Sequence, residues 1–268
     1  EAARMIVQRQ SGDLLLFKQT DHALLSGEFC LAWGNDDIPA PARPESTQVA
    51  AARHDDGWAE WELAPKLRAD GDPVDFIRVP VSDHVPLYKR GIDLVTEEND
   101  YAGLLASLHG QRLYTRPFHP GMDPRIEHLQ GDDLALARAY VDGEHERQER
   151  LIGKLGEDVR PIADEGWRLL QVWDRLSLLV CMNEVKSGVE VALPAIASAR
   201  DGDVQLVARA TDEGDVIVDP FPFNASPVSF DIAYVRTNRT TWDSEADYRK
   251  SFRTGAHEVL RFSCTSSW

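Results

Sequence analysis

The spacing of apolar residues changes twice along this chain, and the changes divide it into three stretches. Met5 to Thr20 carries two short apolar runs, "MIV" and "LLLF", around Ser11-Gly12-Asp13, which reads as two strands joined by a tight turn. Helical segments follow. Thr20 and Asp21 cap a helix through "HALLSGEFCLAWG" that stops at Gly34, and "ESTQVAAARHDDGW" forms a second that starts at Glu45 to Thr47. From Pro65 the chain turns rich in Pro, Gly and Asp and reads as an extended loop. "SDHVPLYKRGIDLVTE" and "DYAGLLASLHGQRLY" are helices, 117–131 is a loop, and "DDLALARAYVDGEHERQERLIGKL" is a long amphipathic helix. In "DEGWRLLQVWDRLSLLVCMNEV", Leu169, Trp173, Leu176 and Val180 fall at helical spacing. Beyond about residue 185 the texture becomes strand-like, in "DVQLVARATDEGDVIVDPFPF", "PVSFDIAYV" and "EVLRFSC", with a hairpin turn at Asp212 to Asp215. The fold expected from this pattern is mainly α, with an N-terminal β-hairpin and a C-terminal antiparallel β portion. The expected organisation is a helical unit over 5–185 with a small β-rich portion, 186–268, packed on it.

Composition narrows the partners. With 43% hydrophobic residues and seven Trp in 268 positions, the chain can build a sizeable core. Its formal net charge of −16 repels polyanions, which argues against nucleic acid and anionic membranes and leaves a small-molecule substrate, with a homodimer compatible. Cys30, Cys181 and Cys264 are too few and too scattered for a disulfide framework. No basic-then-apolar leader is visible, and runs such as "LSLLVCM" fall far short of a membrane span, so the expected location is the cytoplasm.

The candidate chemistry lies in histidines and aspartates. His22 opens the first helix, His54 and Asp55 stand together in "HDDGW", His84 lies in "DHVPLYKRG", and His109 closes "ASLH". Taken singly, each histidine reads as well as a cap, a surface group or a partner of the helix dipole. Asp174 is different, because a carboxylate inside the apolar run "VWDRLSLLV" is costly without a cation or several donors. A salt bridge to a neighbouring helix would also satisfy it. His145 and Glu149, one turn apart in "GEHERQER", could bind a metal, although a solvated helix face explains them more simply. No P-loop, dinucleotide fingerprint, GxSxG elbow or CxxC pair occurs.

Read together, His … His-Asp … His … His … Asp over successive helices resembles the HD-domain metalloprotein superfamily, and in particular its dinuclear members. "DHALLSG", "HDDGW", "YAGLLASLH" and "WDRLSL" also resemble an uncharacterised bacterial family, domain-of-unknown-function family 3891. The resemblance implies an HD-like helical bundle holding two divalent ions, with iron first among Fe, Mn, Co, Ni and Zn. His22, His54 and Asp174 would complete one shell, His84 and His109 the other, and Asp55 would bridge. Adjacent helical residues diverge by about 100°, which is why Asp55 is given the bridging role beside His54. Where many relatives with the longer ligand set carry a lysine, this chain has Trp58. An anion clamp would then come from Lys89, Arg90 or Arg116, while Trp58 and Trp61 either line a pocket or belong to the core. Glu28, Asp56 and Tyr101 are candidates to support the ligands.

Three functions follow from the resemblance. The first is a dinuclear hydrolase cleaving a small phosphoester or phosphoanhydride with a metal-bridging hydroxide. The second is a mixed-valent diiron oxygenase that breaks a C–C or C–P bond. The third is a non-catalytic module that senses a metal or ligand.

Overall fold

The computed structural model describes residues 5–116, 125–182, 189–200, 202–211 and 214–266. Strands β1 (Ile6–Gln10) and β2 (Asp13–Phe17) pair antiparallel around Ser11 and Gly12. Both turn residues have positive φ, 53° and 93°, the backbone that a two-residue hairpin of this twist requires. Among the described residues seven α-helices precede the remaining strands: α1 (Gln19–Ala32), α2 (Pro44–Arg53), the short α3 (Ala59–Glu62), α4 (Val81–Glu98), α5 (Asp100–Thr115), α6 (Gly131–Leu155) and α7 (Val159–Cys181). Then come β3 (Val191–Ser198), β4 (Gly202–Ala210), β5 (Val216–Asp219), β6 (Val228–Thr237), α8 (Glu245–Thr254) and β7 (Ala256–Thr265).

The sheet overturns the expectation of a mainly α, HD-like bundle with two β attachments. The seven strands of the described residues form one sheet in the order β1-β2-β6-β7-β5-β4-β3. The N-terminal hairpin enters it because β2 pairs with β6, Leu15 opposite Arg236. Nor is the C-terminal β portion purely antiparallel, since β5 runs parallel to β7 with Val216 opposite Cys264. The molecule is therefore an α/β fold with a mixed sheet. Apolar alternation reports that a segment is a strand but carries no record of its partner, and the decisive pairing here joins residues more than two hundred positions apart.

Helices α1 and α7 lie between this sheet and the outer helices. Phe29 of α1 packs against Phe223, Phe230 and Phe262, with ring centroids 6.0, 4.6 and 6.4 Å away, and α7 packs on β3. On the other side α2 contacts α1, α5 and α7, while α4 and α6 pack on α5. One continuous apolar cluster runs from the helices into the sheet, and a smaller one, around Met5, Leu14, Leu16, Trp242, Tyr248 and Phe252, seats α8. Two glycines set the helix spacing. A Cβ on Gly27 would lie 2.6 Å from the Cβ of Ala52, so α1 and α2 cross in direct backbone contact. A Cβ on Gly57 would meet the Leu87 carbonyl oxygen at 2.0 Å, so α4 passes immediately behind the "HDDGW" turn.

Candidate metal centre

Four helical elements deliver five side chains to one buried cluster. His22 lies one turn into α1, His109 in the second half of α5 and Asp174 in the second half of α7. His54 and Asp55 come from the place where α2 stops. The helix ends at Arg53, and Asp55, with φ −109° and ψ 17°, has left helical geometry before the 3-10 turn Asp56–Trp58. That break removes the angular divergence expected of neighbours on a regular helix, and both side chains face the same centre. All five are buried, with relative exposures of 1% for His22 and His109, 2% for His54 and 3% for Asp55 and Asp174.

Their ligand atoms form two overlapping groups, His22/His54/Asp174 and His54/Asp55/His109, each with its atoms within 4.8 Å of one another. His54 Nε2 lies 3.6 Å from Asp174 Oδ1 and 3.9 Å from Asp55 Oδ2, and His109 Nε2 lies 3.8 Å from Asp174 Oδ2. These separations are too long for hydrogen bonds. They match two ligands of one ion, since two bonds of about 2.1 Å at 90° to 180° place their ends roughly 3.0 to 4.2 Å apart.

Neighbouring oxygens orient the imidazoles. His54 Nδ1–H donates to the Ala51 carbonyl at 2.9 Å, so its Nε2, which is buried and makes no hydrogen bond, is the ring nitrogen left to face the two carboxylates. The case of His22 follows from proton counting. Ser26 Oγ donates to the His22 carbonyl at 3.1 Å and Ser177 Oγ to the Asp174 carbonyl at 2.9 Å, which uses the single proton of each hydroxyl. The 2.9 Å contact between His22 Nδ1 and Ser177 Oγ is donated by the ring where Ser177 keeps its proton on the carbonyl, and a cation held between His22 Nε2 and Asp55 Oδ2, 2.9 Å apart, would require that tautomer. A lone pair facing a carboxylate requires a proton or a cation between them. The Ser177–His22–Asp55 chain has the order of a nucleophile triad, but Ser177 is fully buried with its proton committed to a carbonyl, so it orients His22 instead.

The electrostatics agree. Burial opposes a charge on His54, yet Asp55 and Asp174 overcome it and raise its pKa to about 9. Burial works against both aspartates too, and the surrounding histidines still hold each below the usual carboxylate range. His109 is lowered to about 4, chiefly by burial, and so is neutral and able to coordinate at physiological pH. A divalent cation can replace the proton that the two carboxylates hold on His54.

His84 belongs to neither group. Its Nδ1 lies 2.7 Å from Tyr114 Oη, and its ring sits 4.5 Å from that of Tyr88. Tyr88 in turn lies 6.2 Å from the His109 ring and donates from Oη to Asp55 Oδ1 at 3.0 Å. Burial, reinforced by Asp55 and Asp174, pushes the Tyr88 phenol well above its ordinary pKa, so it acts as a donor. Trp58 is buried between Trp61 and His84, with centroids 6.3 and 6.1 Å away. Lys89 and Arg90 are exposed on α4, where Arg90 forms a two-pronged pair with Glu60. Glu28 is exposed on α1, near Asp231. Asp56 pairs with Arg53 at 2.6 Å, and Tyr101 donates to the Ile162 carbonyl at 3.1 Å.

Four supporting groups had escaped the reading of the sequence: Ser26, Ser177, Tyr88 and Glu62. The Glu62 carboxylate accepts from the backbone N–H of Gln19 and, at 3.2 Å, of Thr20, and at 2.6 Å from the Thr20 hydroxyl. A side chain from α3 thus caps α1, the helix that carries His22, in place of the local cap at Thr20 and Asp21. Only spacing could have hinted at two of the others, since Ser177 follows Asp174 by three positions and Tyr88 follows His84 by four.

The fold and site define a class: an α/β protein with a buried cluster of three histidines and two aspartates that could hold a metal ion. Its sequence matches, over residues 5–238, the family described as protein of unknown function DUF3891, and the chain belongs to that family. No curated protein and no solved structure matches it. Among the described residues no helix is long and apolar enough to cross a membrane.

Proposed function

We propose that the cluster is a metal centre and that the protein is a metal-dependent hydrolase of a small phosphoester or phosphoanhydride. The observation that carries the reading is His54 Nε2, buried without a hydrogen bond and aimed at two carboxylates 3.6 and 3.9 Å away. Each group of two imidazoles and one carboxylate, with no thiolate, suits Fe, Mn, Co, Ni or Zn and would leave a bound ion open positions for water or substrate. A bound divalent ion would supply Lewis acidity and make water a nucleophile near neutral pH. The choice of phosphate chemistry rests on the likeness in sequence of the order His22 … His54-Asp55 … Asp174 to the HD superfamily, whose helical-bundle fold this chain does not have.

The residues around it have distinct roles in this reading. Ser177 and the Ala51 carbonyl fix the two imidazole tautomers, and the burial of all five ligands excludes bulk water. Tyr88 holds Asp55 Oδ1, the carboxylate oxygen turned away from His22. That bond, and the engagement of His84 by Tyr114, favour one ion over two. A second ion using His84 and His109 would need Tyr88 to turn aside.

The depth of the site favours a second reading, an iron oxygenase, because ligands at most 3% exposed suit a small co-substrate such as O₂. Metal analysis of protein purified without oxygen, beside His54→Ala, separates the readings. The hydrolase reading expects about one ion per chain, lost in the variant, and phosphoester turnover with Mn or Ni in the absence of O₂. Turnover that requires iron and O₂ would replace it with the oxygenase. A metal-free protein that takes up none of these ions on reconstitution would overturn both.

A further inference from the structure

A second feature, lined by none of the five cluster residues, lies where α5, α6 and α7 meet. They enclose a groove of about 310 Å³, walled by Arg112 and Arg116 from α5, His145 and Glu149 from α6, and Arg160 and Asp164 from α7. The volume falls at the lower end of the range of small-molecule sites. Its sign is opposite to that of the molecule. Three arginines against two carboxylates leave these walls at 3 − 2 = +1 before His145 is counted, on a chain whose net charge is −16.

The arginines are arranged to receive an anion. Arg112 and Arg116, one turn apart, both stack on Trp167, with guanidinium carbons 4.0 and 5.2 Å from the ring centroid. Stacking fixes the planes of the two forks and leaves their N–H edges for a partner. Arg112 already uses one edge on Asp164, but that side chain is 59% exposed, the kind of ion pair that exchanges readily. Like charges one turn apart on a helix repel, and an anion between them removes the repulsion. Gln111 and Thr115, on the same wall, offer polar groups for the rest of a ligand. The His145–Glu149 pair, which the sequence offers as a metal site, points the same way. Glu149 is held by both arms of Arg160 at 2.8 and 2.7 Å, so the α6 wall is not free to take a cation.

We infer that this groove is a binding site for a small phosphate monoester, gripped by Arg112 and Arg116 and separate from the metal centre. The bland alternative is that the two arginines only complement the C-terminal dipole of α5.

Titration of the whole protein with glycerol 3-phosphate, and with inorganic phosphate, at constant ionic strength tests this by calorimetry. Arg116→Gln is the first variant, because its side chain is exposed and, among the described residues, it is seen to contact Trp167. The expected result is saturable binding of glycerol 3-phosphate, weakened at least tenfold by Arg116→Gln and by Arg112→Gln, with metal content unchanged. The binding should survive treatment with a chelator, which distinguishes the groove from phosphate held at the metal centre. Binding equal in wild type and Arg116→Gln, binding abolished by the chelator, or no binding of either phosphate would overturn the inference.

Discussion

A buried imidazole coordinates well only when its other nitrogen is already engaged, and here Ser177 engages His22. Ser177→Ala removes that acceptor and frees the ring to change tautomer. The expected outcome is a loss of about 10- to 100-fold in affinity for Co(II) or Zn(II), measured by competition with a chromophoric chelator, with the circular dichroism of the fold retained. Unchanged affinity would mean that Ser177 only fills space. At this scale the ligands were legible and their supports were not. Histidine beside aspartate, and an aspartate among leucines, contradict their surroundings and so draw attention in the sequence. A serine or tyrosine inside a helix contradicts nothing, and the partner atoms of Ser177 and Tyr88, His22 Nδ1 and Asp55 Oδ1, lie on residues 155 and 33 positions away.

At the scale of elements, two contacts hold the ligand-bearing segments in register. Gly57 lets α4 pass against the turn that follows Asp55. Gly57→Ala places a methyl group 2.0 Å from the Leu87 carbonyl oxygen, so one backbone must move. Its expected cost is at least about 2 kcal/mol in urea denaturation, the range of overpacked core positions, with weaker metal binding alongside. Glu62 is the other contact. Burial raises its pKa, although the bonds from Thr20 and Gln19 oppose the shift. A carboxyl whose pKa is higher folded than unfolded gives stability that is full below the unfolded value, near 4.5, and is lost as pH rises through the folded value. Set against Glu62→Gln, which does not titrate, the wild type should therefore show its largest relative stability near pH 4 and lose it toward neutrality. A difference that grows with pH would show that the cap bonds outweigh burial. The helices α1, α2 and α4 to α7 were readable from spacing and composition, while the shorter α3 and α8 were not. Their starts were less so, because a cap supplied from another element, as Glu62 is for α1, leaves no local signature.

For the whole molecule, what escaped the sequence is the pairing of strands. Runs of strand-like residues marked both ends of the chain, but a hairpin at the start and strands after residue 185 read as separate attachments until β2 was found beside β6. That pairing changes what the helices rest on. Phe29 of α1 is buried against Phe223, Phe230 and Phe262, so the helix that carries His22 has one flank on the C-terminal strands. Leu15, buried in the same core, lies on the strand that β6 completes. A chain ending at residue 185 would expose an apolar helix flank and the unpaired edge of β2, the circumstances that favour aggregation. We expect residues 1–185 alone to lack a cooperative thermal transition and to elute as aggregate in size-exclusion chromatography. Adding the segment 186–268 in trans should restore helicity and metal binding if the strands can still find their partners. A soluble 1–185 fragment that keeps a sharp transition and its metal would show instead that the helices form an independent unit, with the sheet built onto it.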